Sequence, residues 1–215
     1  MYKLFYYPRN ASWAPHMLLE EIGATYELVL VDRKSEEQKS SEYLKLNPTG
    51  RIPTLAYGDS VIFESAAICL HLCDEHPQSS VIPDIGDPSR PEFYQWLFYL
   101  TTSIQPELML YFYPNKHTSS VDTAESISET QEKRITEMFG LVDKQLENKE
   151  FLIGNRLSVC DFFLFMLSHW ASGFKTPPLS FEHLGRYLKD LAKRSSVKNV
   201  CEVEGTNLDA YTQTN

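Results

Sequence analysis

NPTGRIPTLAYGDSVIFES, residues Asn47 to Ser65, carries the densest set of local structural signals in the chain. Asn47-Pro48-Thr49-Gly50 is turn chemistry: proline fixes φ, and glycine supplies a positive φ at little cost. Thr54-Leu55-Ala56-Tyr57 and Val61-Ile62-Phe63 flank a second turn, Gly58-Asp59-Ser60, so the pair reads as a β-hairpin. Glu64-Ser65 then opens an apolar-periodic segment, with Ser65 placed to cap a helix that runs to about Glu75 and stops before Pro77. A loop ending in X-Pro, a hairpin and a helix N-terminus form a small polar platform, suited to a short peptide-like ligand with both a carboxylate and an amine.

Working backwards, Lys3 to Tyr7 reads as a strand stopped by Pro8. Ser12-Trp13-Ala14-Pro15 reads as a helix start, with Ser12 as cap and Pro15 in the first turn. That helix runs through Met17, Leu18 and Ile22 to Gly23. Tyr26 to Val31 is a second strand, followed by a charged loop from Asp32 to Gln38 and a short helix from Ser40 to Leu46. The order βαβα followed by ββα is that of a thioredoxin-like domain, placed over residues 1–78.

Working forwards, residues 79–91 carry Pro83, Pro88 and Pro91 among Ser, Asp and Gly, a linker composition. Beyond it the period becomes helical, and residues 92–215 read as an all-α domain. Phe93, Trp96, Leu97, Leu100 and Ile104 mark its first helix, which Pro106 should kink or end. An amphipathic helix follows over Ile127 to Leu146. Ser158 and Asp161 have capping-box spacing, with Leu157 and Phe162 as a hydrophobic staple. The helix they open is apolar almost all round and should be the buried centre of that domain. A last helix carries Phe181 to Leu191, and the polar tail 204–215 reads as mobile.

The 215 residues carry a formal net charge of −9, which argues against nucleic acid and against anionic membranes as partners. No signal-peptide or membrane-spanning run is present, so a cytoplasmic location is expected. The four cysteines have no framework spacing and are expected to be reduced. Cys69, Cys73 and His76 would share one helix face, but the neighbouring Ala66 favours packing over ligation, and no metal is expected.

Asn47-Pro48-x-Gly50-x-Ile52-Pro53-x-Leu55, Glu64-Ser65-x-Ala67-Ile68 and Ser158-x-x-Asp161, in this order, resemble the cytosolic glutathione transferases over essentially the whole chain. Ala11-Ser12-Trp13-Ala14-Pro15-His16 looks most like the bacterial beta-class branch. The resemblance implies a thioredoxin-like domain that binds glutathione and a helical domain on the second-substrate side. It implies that Ile52, before a cis Pro53, offers its backbone to the cysteinyl part of glutathione. It assigns Glu64 to the γ-glutamyl ammonium and Ser65 to the γ-glutamyl carboxylate. Arg51 is the nearest cation for the glycyl carboxylate, with Lys34 and Lys39 as alternatives.

Conjugation needs glutathione as a thiolate, and a thiol with pKa near 8.5 is mostly protonated at neutral pH. Lowering that value by two units takes about 2.7 kcal/mol of anion stabilisation, within reach of one or two aimed donors. The family places a Tyr, Ser or Cys after the first strand for this work. Here the beta-class cysteine position is Ala11, and the beta-class histidine on the first helix of the second domain is Gln105. Ser12 is the remaining donor, with Asn10 close behind; strand alternation turns only one of Tyr6 and Tyr7 to the site. His16 reads as structural rather than as a base. Trp13, Tyr111 and Phe112 are candidates to line an electrophile pocket, or core aromatics. The family's usual homodimer would use a surface near Phe93 and Trp96. The activity expected is conjugation of glutathione to small hydrophobic electrophiles. The alternatives are a non-catalytic transferase-like module and a glutathione-dependent isomerase or dehalogenase.

Overall fold

The computed structural model describes residues 1–212 and divides into two units, Met1–Val81 with the segment from Ala192 onward, and Ile82–Leu191. The segment from Ala192 onward clusters with the first unit, not with the helical domain expected over 92–215.

In the first unit, β1 (Tyr2–Tyr6), β2 (Tyr26–Leu30), β3 (Thr54–Tyr57) and β4 (Ser60–Phe63) form one sheet in the order β2-β1-β3-β4. β1 runs parallel to β2 and antiparallel to β3, and β3–β4 is the hairpin read from its turn residues. Leu4 sits opposite Leu28 on one side and Leu55 on the other, which puts apolar residues at the sheet centre. Alternation along β1 separates two faces. Tyr6 meets His16 of α1 (Trp13–Glu21), whereas Phe5 meets Tyr43 of α2 (Ser41–Leu46). α3 (Ser65–Glu75) packs beside α1, burying Ile68, Cys69, Leu72 and Cys73. Ser40 caps α2, accepting from Tyr43 N–H at 3.2 Å.

The start of α3 corrects the expected cap. Glu64 holds the N-cap position with φ +71°, and Ser65 is the first helical residue. A non-glycine residue at positive φ is strained and persists only where the surroundings fix it.

The second unit begins with α4 (Arg90–Phe98), a π-helical turn over Tyr99–Ile104 and α5 (Gln105–Phe112). Pro106 does not end this helix. The π turn directly precedes α5, and the proline falls in its first turn, where an N–H is not needed. Phe93 and Trp96, considered for partner contact, are buried; the exposed aromatics of α4 are Tyr94 and Phe98. α6 (Val121–Gln145) is the long amphipathic helix, and α8 (Glu182–Leu191) packs on it.

α7 (Val159–Trp170) is buried from Val159 through Ser168. Each large apolar side chain there contributes about 1.5–3 kcal/mol by leaving water. Asp161 ties its start together. Its carboxylate accepts from Ser158 N–H at 2.6 Å, Ser158 Oγ at 2.9 Å, Leu152 N–H at 2.9 Å and the Tyr187 hydroxyl. Burial pushes the Asp161 carboxyl up, against these bonds, and pushes the Tyr187 hydroxyl up further beside it.

The tail read as mobile is anchored at two buried residues of its described part, with exposed residues between them. α9 (Ser195–Val203) lies against α1, Glu204 and Tyr211 are buried, and α10 (Asp209–Thr212) follows. Arg194 and Ser196 both donate to the Glu21 carboxylate. Residues 213–215 of that tail lie outside the described residues.

All four cysteines are buried thiols. Burial and nearby carboxylates push Cys73 and Cys201 up from about 9 to about 12. A thiol whose folded pKa lies above its unfolded value favours the fold below pH 9 and loses that contribution as pH rises toward 12. Each should therefore steepen alkaline unfolding by up to about 1.4 kcal/mol per pH unit. In an aromatic disulfide assay at neutral pH, the native protein is expected to react at none of its four thiols within minutes, and at all four in denaturant.

Candidate functional site

The turn Asn47–Gly50 and its hairpin are fixed by a small buried network. Tyr43 Oη donates to Arg51 C=O at 2.7 Å, and Asn47 Nδ2 donates to the same oxygen at 2.8 Å. Both side chains also reach Thr54 Oγ1. Burial pushes the Tyr43 hydroxyl up, so it stays a donor. The Ile52-Pro53 bond is cis. Ile52 is buried against Val31 and Tyr43, with Phe5 and Tyr7 beside them. Among the described residues no hydrogen bond uses the Ile52 N–H or C=O, which leaves both backbone groups available for an added strand.

Gly50 has φ +60°, and a Cβ there would lie 2.6 Å from Lys39 Nζ. The ammonium of Lys39 thus covers the turn next to exposed Arg51. Lys34 stays in the exposed loop, where its N–H caps Asp32.

Glu64 is exposed at the end of the hairpin and Ser65 is nearly buried behind it. Ser65 Oγ donates to Ala11 C=O at 2.7 Å. This bond joins the start of α3 to the Tyr7–Trp13 loop, and so brings Glu64-Ser65 beside Asn10 to Ser12. The loop is knitted through Tyr7 C=O, which accepts from Asn10 N–H at 3.1 Å and from Ser12 Oγ at 3.2 Å. Tyr7 N–H in turn reaches Ser12 Oγ at 3.4 Å.

Ser12, the donor expected first, is fully buried with its hydroxyl directed to the Tyr7 backbone. Asn10 is half-buried, and its Oδ1 accepts from Ala11 N–H at 2.8 Å, which leaves the two Nδ2 hydrogens uncommitted. Of the two tyrosines, Tyr7 shares the cluster of Ile52, and the Arg33 guanidinium lies 5.8 Å from its ring centre. Tyr6 turns to the opposite face, where burial and the charge of Glu204 push its hydroxyl up.

Trp13 is fully buried at the first position of α1. Tyr111 and Phe112 belong to the second unit; Tyr111 rests on Phe174 at 4.7 Å between ring centres, and Phe112 is 42% exposed. Cys69 and Cys73 face the core, while His76 bonds the Tyr2 hydroxyl at 3.2 Å. Among the described residues no cluster of three or more His, Cys, Asp or Glu side chains comes together. Among the described residues no helix is long and apolar enough to cross a membrane.

Residues 1–74 match the glutathione S-transferase N-terminal domain, and residues 89–195 match the glutathione S-transferase C-terminal domain. The chain belongs to the glutathione S-transferase family. Among curated relatives, glutathione S-transferase GstA of Escherichia coli O157:H7 is 28% identical over 205 residues, covering 94% of this chain and 98% of its own. Among solved structures, the bacterial beta-class glutathione S-transferase of Sphingomonas chungbukensis is 29% identical with a TM-score of 0.82, covering 95% of this chain and 100% of its own. A sphingomonad glutathione S-transferase solved in complex with glutathione is 26% identical, again with a TM-score of 0.82, over 95% of this chain and 100% of its own. The transferase of Xylella fastidiosa, at 23% identity and a TM-score of 0.88 over 96% of this chain and 100% of its own, shows the shared fold. As a glutathione S-transferase family member, the chain has the thioredoxin-like sheet and helical C-terminal part read from its motifs.

Sequence reasoning missed Glu204. Its side chain, fully buried with that of His16, meets His16 Nδ1 at 2.7 Å and accepts from Arg9 N–H at 2.6 Å. His16 is accordingly a structural side chain whose Nε2 faces the Tyr26 hydroxyl at 3.1 Å. The pairing spans 188 positions, and no local period or spacing signals it.

Proposed function

We propose that this glutathione S-transferase family member binds glutathione along Arg51 to Ser65 and transfers its thiolate to small hydrophobic electrophiles. The observation that carries the reading is the unused N–H and C=O of Ile52, with Lys39 over the preceding turn, exposed Arg51 next in the chain and exposed Glu64 at the end of the hairpin. Ile52, ahead of cis Pro53, pairs with the cysteinyl backbone. Glu64 takes the γ-glutamyl ammonium, and the N–H groups of the α3 N-terminus at Ser65 take its carboxylate, the Ser65 hydroxyl being committed to Ala11 C=O. Arg51 and Lys39 neutralise the glycyl carboxylate. Glutathione is the co-substrate, and the reading requires no metal.

For the thiolate, Asn10 is the better-placed donor, because its Nδ2 has two hydrogens to give while Ser12 already donates to Tyr7 C=O. Ser12 then orients the loop. Trp13, fully buried, belongs to the core of the first unit and lines no pocket; in the second unit the exposed ring of Phe112, beside Tyr111, offers apolar surface. Assembly is as a cytoplasmic homodimer, with the exposed Tyr94 and Phe98 of α4 meeting the partner.

A chlorodinitrobenzene assay on the unaltered protein, Asn10→Ala and Ser12→Ala tests the assignment. Asn10→Ala is expected to lower kcat/KM about 30- to 150-fold, the worth of about 2–3 kcal/mol of anion stabilisation. Ser12→Ala should lower it less and reduce stability. The reverse order would return the role to Ser12. A second reading, a glutathione-binding module without turnover, is favoured by the commitment of the Ser12 hydroxyl to Tyr7. Binding with no conjugation in any variant would select it.

A further inference from the structure

Glu204 stands just past α9, in the segment that returns to the first unit. One carboxylate oxygen faces His16 Nδ1 and the other takes the Arg9 N–H, so a single buried anion touches α1 and the Tyr7–Trp13 loop at once. The far side of His16 is closed by the Tyr26 hydroxyl, which itself donates to Glu20. The carboxylate is therefore held on two elements before it meets the loop.

What it holds is strained. Arg9 has φ +57°, a left-handed conformation that costs a residue with a Cβ free energy and survives only when its neighbours fix it. The Arg9 N–H is directed into the Glu204 carboxylate, and the next residue is Asn10. A loop free to leave the left-handed region at Arg9 would swing the Asn10 side chain off its direction, since Asn10 follows immediately in the chain. We propose that Glu204 is a positioning residue for thiol activation: it locks Arg9 in its left-handed conformation, and thereby aims Asn10 Nδ2 at the glutathione sulfur. This inference rests on the assignment of Asn10 as thiolate donor.

The test follows the ultraviolet absorbance of the thiolate of bound glutathione against pH, on the full chain. The variants are Glu204→Asp, Glu204→Gln and Asn10→Ala, with glutathione affinity measured in parallel. Aspartate keeps the charge but is one methylene shorter, so it cannot span both His16 and Arg9. Glu204→Asp is expected to raise the pKa of the bound thiol by about one unit, about tenfold less thiolate on the acid side. It should lower kcat about tenfold while glutathione affinity changes by less than about threefold, because Ile52, Glu64 and Ser65 are untouched. Glutamine keeps a carbonyl acceptor for Arg9 N–H, so Glu204→Gln should titrate near the unaltered protein. A Glu204→Asp protein that melts earlier but titrates its bound thiol normally would overturn the proposal. So would equal shifts in the Asp and Gln variants, which would make charge rather than the Arg9 anchor the cause. A shift in Asn10→Ala with none in Glu204→Asp removes the role of Glu204 alone. No shift in either variant removes the Asn10 assignment as well.

Discussion

Replacing Asp161 by alanine is expected to destabilise the protein by about 3–5 kcal/mol, the cost of breaking a buried charged network by removing its acceptor. The carboxylate serves Ser158 N–H, Ser158 Oγ, Leu152 N–H and the Tyr187 hydroxyl, and these donors would be left buried without it. Stability is typically about 5–15 kcal/mol, so the loss is a large share of the total. In thermal denaturation the variant should melt about 10 °C lower or more. Asp161→Asn should also cost stability, since its amide NH2 would face donors rather than acceptors. A melting point within about 2 °C of the unaltered protein would show that water replaces the lost acceptor, and that α7 does not depend on this network.

Glu64→Gln should act on the opposite quantity. The side chain is exposed, and in the proposed reading its charge meets only the γ-glutamyl ammonium. Loss of a charge-assisted hydrogen bond is worth about 1.5–3 kcal/mol, so glutathione affinity should fall about 10- to 100-fold. The melting point should stay within about 2 °C, because Glu64 makes no side-chain cap bond. Glu64→Gly should separate the two effects further. Glycine relieves the strain at φ +71° while losing the same affinity. Equal affinities for the three proteins would move the ammonium contact elsewhere.

Much of this was legible because its signals are local. Pro48, Gly50, Pro53 and the Gly58-Asp59 turn dictate where strands begin and end, and period-2 alternation does the rest for β3 and β4. Ser158 and Asp161 are three residues apart, and a capping box needs nothing more. The misreadings have the opposite character. A hydroxyl residue before a helix looks like its cap, yet the strained backbone of Glu64 takes that position, and positive φ at a glutamate leaves no mark in a sequence. Pro106 reads as a break, whereas a π turn sets it in the first turn of α5. The segment after Glu204 looks solvated because its residues are polar. Glu204 is buried all the same, because His16 and the Arg9 amide receive its charge across the length of the chain. The direction of the Ser12 hydroxyl, turned to Tyr7 C=O, likewise leaves no mark in the sequence, which offers Ser12 and Asn10 side by side.

The central claim is that the Arg51 to Ser65 platform holds glutathione. Calorimetric titration of the full chain with glutathione tests it most directly. Saturable binding is expected at one site per chain with Kd between about 10 μM and 1 mM, weakened by at least about tenfold in Glu64→Gln. No saturable heat up to about 10 mM glutathione, or equal binding by the Glu64→Gln protein, would contradict it.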